Sequence, residues 1–144
     1  MNALTMPAPQ LAVLLAEPAA SSCAESAAAE LIGRQGYLLR NPAFRRLIAA
    51  GSAACCPCEP VAVIRWNAAT WALEHGQLPC APSDQAVLQI AASIADKHIP
   101  VWLGASLPRL TRRDITLITR AITAATSSEH RGPGARSPEG NTSR

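Results

Sequence analysis

Lysine is all but missing from this chain, with Lys97 alone against twelve arginines. Alanine is abundant beside it, as codon bias in a GC-rich genome produces, so the arginine excess by itself says little about nucleic acid. Aromatics are also scarce, at 3% of residues. The hydrophobic fraction of 49% must then be carried by Ala, Leu, Ile and Val, which predicts a close-packed aliphatic core with Trp66, Trp71 and Trp102 as its few large pieces. No apolar run approaches the roughly 20 residues of a membrane-spanning helix. Leu11-Ala-Val-Leu-Leu15 is the nearest imitation of an export signal, but no Lys or Arg precedes Arg34, and Glu17 and Pro18 break the run. The expectation is a cytoplasmic protein that does not engage a membrane.

Catalytic signatures are likewise missing. The sequence has no Walker loop and no H-E-x-x-H, and no carboxylate pair is placed by spacing on one helical face. Of three histidines, His130 lies near the C-terminus, while His75 and His98 fall at helix ends, where a cation suits the dipole. Gly104-Ala-Ser106 begins like a nucleophile elbow, but Pro108 stands where the second glycine belongs.

What is present suits one small helical domain. A chain of 144 residues has room for one core, burying about two thirds of its unfolded surface. Residues 1–21 read as an N-terminal arm, 22–126 as the helical domain and 127–144 as a disordered tail rich in Ser, Gly, Pro and Arg. The tail carries three arginines against two glutamates, which leaves the remainder near +2 of a total of +3. That is too mild to imply a polyanionic partner unless the charge is clustered.

Ser22 with Glu25 is a capping box opening a first helix, which Gly33 ends. Asn41-Pro42 opens a second, from Ala43 to Ala50, with Phe44, Leu47 and Ile48 inward. Pro60 opens a third to His75, because Val63, Trp66, Thr70 and Leu73 share helical spacing; Val61-Ala-Val-Ile64 is read as part of it and not as a strand. Ser83 caps a fourth helix with the stripe Val87, Ile90, Ala91 and Ile94. Ile99–Leu103 is extended because of Pro100. Thr111 with Asp114 opens a fifth, whose Ile115, Ile118, Ile122 and Ala125 face inward. The predicted fold is therefore an all-α compact bundle of four to five short helices with one short extended segment near Val101.

The runs Ile64-Arg-Trp-Asn, Ala72-Leu-Glu-His-Gly-Gln-Leu-Pro-Cys80, Leu88-Gln-Ile-Ala-Ala-Ser-Ile-Ala95 and Pro100-Val-Trp-Leu103 resemble those of a group of small helical proteins from GC-rich actinobacteria. The resemblance covers about residues 60–126. It implies a compact helical unit there and carries no activity with it.

Three side-chain groups could carry function. Cys55 and Cys58 have the C-x-x-C spacing that lets two thiolates hold one zinc, and His75 and Cys80 could complete four ligands; small apolar cysteines in a loop is the plainer reading. Five cysteines cannot all pair within the chain, and reduced thiols are expected in the cytoplasm. Arg109, Arg112, Arg113, Thr116 and Arg120 cluster on the last helix, where they could meet phosphates or base edges, or simply form a solvated face. Trp71, about 140° around its helix from Trp66, is the candidate anchor for a partner protein. The functional expectation is a non-catalytic interaction or accessory module. The alternatives are a DNA-binding regulator resembling a helix-turn-helix protein and a small zinc-binding domain using Cys55 and Cys58.

Overall fold

The computed structural model describes residues 2–16, 22–52 and 60–127. Its helices start largely where their caps place them. In α2 (Cys23–Gln35) the Ser22 hydroxyl accepts from the Glu25 N–H at 3.2 Å. Gly33 does not end this helix. It stays helical and lets α1 (Ala8–Ala16) close in, since a Cβ on Gly33 would lie 3.4 Å from that of Ala12. The stop is Gly36, at φ +79°, whose N–H returns to the Ile32 carbonyl. Helix α1 brings Leu11 and Leu15 into the core. The segment before it is tied down by Arg45, whose guanidinium donates to the carbonyls of Leu39, Met6 and Leu4.

The fold is mostly helical, but the all-α expectation needs correcting. Asn41 caps α3 (Pro42–Arg45) by accepting from the Ala43 N–H at 2.9 Å, and the helix ends after one turn. Ile48–Ser52 is strand β1, paired antiparallel with β2 (Pro60–Ile64), Ile48 facing Ile64 and Ala50 facing Ala62. Two helices drawn from the sequence are thus cut short by one hairpin. The physical reason lies in Val61, Val63 and Ile64, whose branched side chains favour a pleat, with Ala62 and Ile64 turned inward at period two. Pro60 sits at the strand's first residue, where its missing N–H is tolerated. The Arg65 N–H donates to the Leu47 carbonyl at 2.9 Å, and only then does α4 (Trp66–Glu74) begin.

Helix α5 (Pro82–Ala95) has Pro82 at its first position and Ala81, not Ser83, at its cap. Val87, Ile90 and Ala91 are buried, with Ile94 partly so. Residues 100–102 are neither helix nor strand, and the expected extended segment gives way at Leu103–Ser106, which forms the short helix α6, with Leu107–Arg109 a 3-10 turn after it. The second capping box forms in full at the start of α7 (Arg112–Ser127): the Asp114 N–H donates to Thr111 Oγ1 at 3.2 Å, and Asp114 Oδ2 accepts from the Thr111 N–H at 3.0 Å.

The inward face of α7 is rotated from the one expected. Asp114, Ile118 and Ala121 are buried and Leu117 packs against the core, whereas Ile115 and Ile122 are 47% and 48% exposed. Both stripes repeat at three and four residues and share Ile118, so periodicity cannot separate them. Packing does, because the alanines of α2 let the Leu117–Ala121 side approach closely. Among the described residues seven α-helices surround one core, with α2 packed on α1, α5 and α7, and α5 on α2, α4, α6 and α7. Cys55, Cys58 and the tail beyond Ser127 lie outside the described residues.

Candidate functional site

The arginines of the last helix separate into two groups. Arg113 and Arg120 lie seven residues apart, on one flank of α7 to within about 20°, and border α2. Arg112 lies about 100° around the helix from Arg113, Thr116 Oγ1 donates to the Arg112 carbonyl at 3.1 Å, and Arg109 ends the preceding turn. Helix α5 runs through the interior of the bundle, with no residue from Ser83 to Ala95 more than partly exposed.

Two adjoining grooves follow the α2–α7 seam. One, of 170 Å³, is bordered by Glu30, Arg34 and Arg120; the next, of 260 Å³, by Arg34, Arg40, Arg113 and Tyr37. Arg34 Nε donates to Glu30 Oε1 at 2.7 Å, and Arg113 Nη2 donates to the Arg34 carbonyl at 3.2 Å. Tyr37 is 58% exposed, with the Arg40 guanidinium 6.0 Å from its ring centre. Its loop is held from beneath by Gln35, only 4% exposed. Gln35 Oε1 accepts from the N–H groups of Tyr37 and Leu38 at 3.1 and 3.2 Å, and its Nε2 donates to Asp84 Oδ1 at 2.6 Å. Sequence reasoning missed Arg34, Tyr37 and Arg40. More than 70 residues of chain separate them from Arg113, and no local spacing links the two sets.

A second feature is the cleft of 290 Å³ between α4, α5 and residues 98–102. Leu73, Ile99 and Val101 supply its apolar lining, and Asn67, Thr70, Gln89, Glu74 and His98 make the rest polar. Trp102 stands at its lip, 82% exposed. Trp71, on the same helix as Leu73, is 51% exposed and stacks on His75 with ring centres 4.1 Å apart. Trp66 is buried, as its spacing predicts, and its indole N–H finds no acceptor among the described residues. Ser106 is also buried, 3.4 Å from Gln89 Oε1 through its hydroxyl, and so faces the interior.

Of the four candidate zinc ligands, only His75 and Cys80 fall within the described residues. His75 Nδ1 lies 2.8 Å from the Trp71 carbonyl, closing the end of α4. Burial, and then the nearby Asp84 carboxylate, push the Cys80 thiol above its ordinary pKa. Among the described residues no three His, Cys, Asp or Glu side chains gather as a metal site, and no helix is long and apolar enough to cross a membrane. No family model matches this sequence, and no curated protein or solved structure shows significant similarity to it.

Proposed function

We propose that this chain is a non-catalytic interaction module that docks a partner protein on the α4 face, around Trp71 and Trp102. The observation that carries the reading is Trp102, 82% exposed at the lip of a cleft of mixed polar and apolar lining. Leaving so large a ring in water forgoes roughly 1.5–3 kcal/mol of burial, in a chain with three tryptophans in all. Tryptophan is the residue type most enriched at interface hot spots, where a ring enters a dry pocket surrounded by near-neutral contacts. The Thr70 and Gln89 groups beside the cleft are suited to fixing the register of an incoming backbone.

The test compares wild type with the Trp102→Ala and Trp71→Ala variants, each tagged and recovered from its own cells. The expected result is a stoichiometric partner lost from both variants while their melting temperatures stay at the wild-type value. An identical set of bound proteins in all three would overturn the proposal.

A further inference from the structure

We propose that the α2–α7 seam binds single-stranded nucleic acid, with phosphates along Arg40, Arg113, Arg34 and Arg120 and a base stacked on Tyr37. The site is separate from the tryptophan face and stands or falls independently of it.

Charge is the first argument. The two grooves carry four arginines and one carboxylate, Glu30, a surplus of three where the whole chain has a net charge of +3. The mild overall charge is therefore locally concentrated, and neighbouring like charges in one seam reinforce one another's attraction for an anion. The Glu30–Arg34 pair is exposed on both sides and contributes little to stability, so Arg34 can turn to a phosphate without loss of fold.

Arrangement is the second. Arg113 and Arg120 lie on one flank about 10 Å apart along the helix axis, with Arg34 bordering both grooves between them. A row of cations suits a ligand with repeated negative charges better than a lone phosphate. Arg40 extends the row towards Tyr37.

Tyr37 decides which polyanion. Its backbone is fixed by the left-handed turn at Gly36 and by the buried Gln35 amide, and Leu38 and Leu39 after it are fully packed. The exposed ring is thus presented on a rigid base, which lowers the entropy lost on binding. Stacking on it requires a base with a free face. A single strand offers such faces and a duplex interior does not. The seam is also concave, bordered by both helices.

The experiment follows the fluorescence anisotropy of labelled oligo(dT) and oligo(U) with the full chain. Saturable binding is expected, with log K falling against log salt at a slope of about −2 to −3, as three or four phosphates give. The Arg40→Gln, Arg113→Gln double variant should weaken binding tenfold or more and flatten the slope by about 1.4. Tyr37→Ala should weaken it about tenfold with the slope unchanged, because stacking releases no counterion. Removing the same charge elsewhere, in Arg46→Gln, Arg65→Gln, should leave affinity within about twofold. Melting temperatures establish that each variant is folded. The proposal is overturned by the absence of saturation at about 100 μM protein in low salt, by equal loss in the Arg46, Arg65 control, or by unlabelled duplex, a phosphopeptide or inorganic phosphate competing as well as the single strand.

Discussion

The Gln35 side chain joins the end of α2 to the start of α5, donating to Asp84 Oδ1 at 2.6 Å across 49 positions of sequence. Its carbonyl oxygen meanwhile receives the Tyr37 and Leu38 N–H groups. Gln35→Ala strands these donors and the Asp84 carboxylate together, and the Leu38 N–H is too buried for water to replace the lost acceptor. The expected loss is about 1–3 kcal/mol in urea unfolding. Asp84→Asn, which keeps an Oδ1 acceptor, should lose less than half of that. A Gln35→Ala protein as stable as wild type would mean that the loop bearing Tyr37 is held by something else.

Helix α7 offers a sharper comparison because two isoleucines four residues apart differ in burial. Ile118 is buried and Ile122 is 48% exposed. Replacing Ile118 by Ala should cost about 2–5 kcal/mol through lost burial and the cavity left behind, and replacing Ile122 no more than about 1. Equal costs from denaturant midpoints would restore the Ile115–Ile118–Ile122 face that the sequence suggests.

Local signals were legible and non-local ones were not. Ser22, Asn41-Pro42 and Thr111-x-x-Asp114 could be read because a cap involves residues two or three apart, whereas Ser83 was not the cap of its helix, which opens at Pro82 after Ala81. Strand β1 could not: Ile-Ala-Ala-Gly-Ser has little β character of its own and is a strand because Pro60–Ile64 lies beside it. The rotation of α7 was illegible for a related reason, since which of two overlapping stripes is buried depends on the small residues of α2. The arginine seam was half legible. Arg113 and Arg120 could be placed on the last helix, but Arg34, Tyr37 and Arg40 reach them only through tertiary packing.

Cys80 should be a poor nucleophile beside Cys23. Cys23 is exposed, whereas burial and Asp84 raise the Cys80 pKa, so less thiolate is present at a given pH. Iodoacetamide at mildly alkaline pH, read peptide by peptide in a mass spectrometer, should modify Cys23 before Cys80, and urea should narrow the gap. The same shift acts on stability. A folded pKa above the unfolded one favours folding of the neutral thiol, an advantage present below the unfolded pKa and lost as pH rises through the folded one. Cys80→Ser should therefore reduce the alkaline loss of stability, and equal alkylation rates in native protein would contradict the burial.

Gly33 and Gly36 lie three residues apart, yet alanine should act with opposite sign at each. Gly33 is inside α2, where glycine is about 1 kcal/mol worse than alanine. A Cβ there meets the Ala12 Cβ at 3.4 Å, a contact α1 can accept, so Gly33→Ala should be neutral or stabilising by up to about 1 kcal/mol. Gly36 meets nothing within 4 Å but sits at φ +79°, and a Cβ in that region costs about 1–2 kcal/mol from backbone strain alone. Gly36→Ala should therefore destabilise. Gly33→Val separates the two components, because its branches exceed the space beside Ala12 and must push α1, with Leu11 and Leu15, off the core. Urea midpoints should rank Gly33→Ala at or above wild type, with Gly36→Ala and Gly33→Val below it. If Gly33→Ala is as damaging as Gly33→Val, the α1–α2 contact is tighter than 3.4 Å implies and glycine is required there for space.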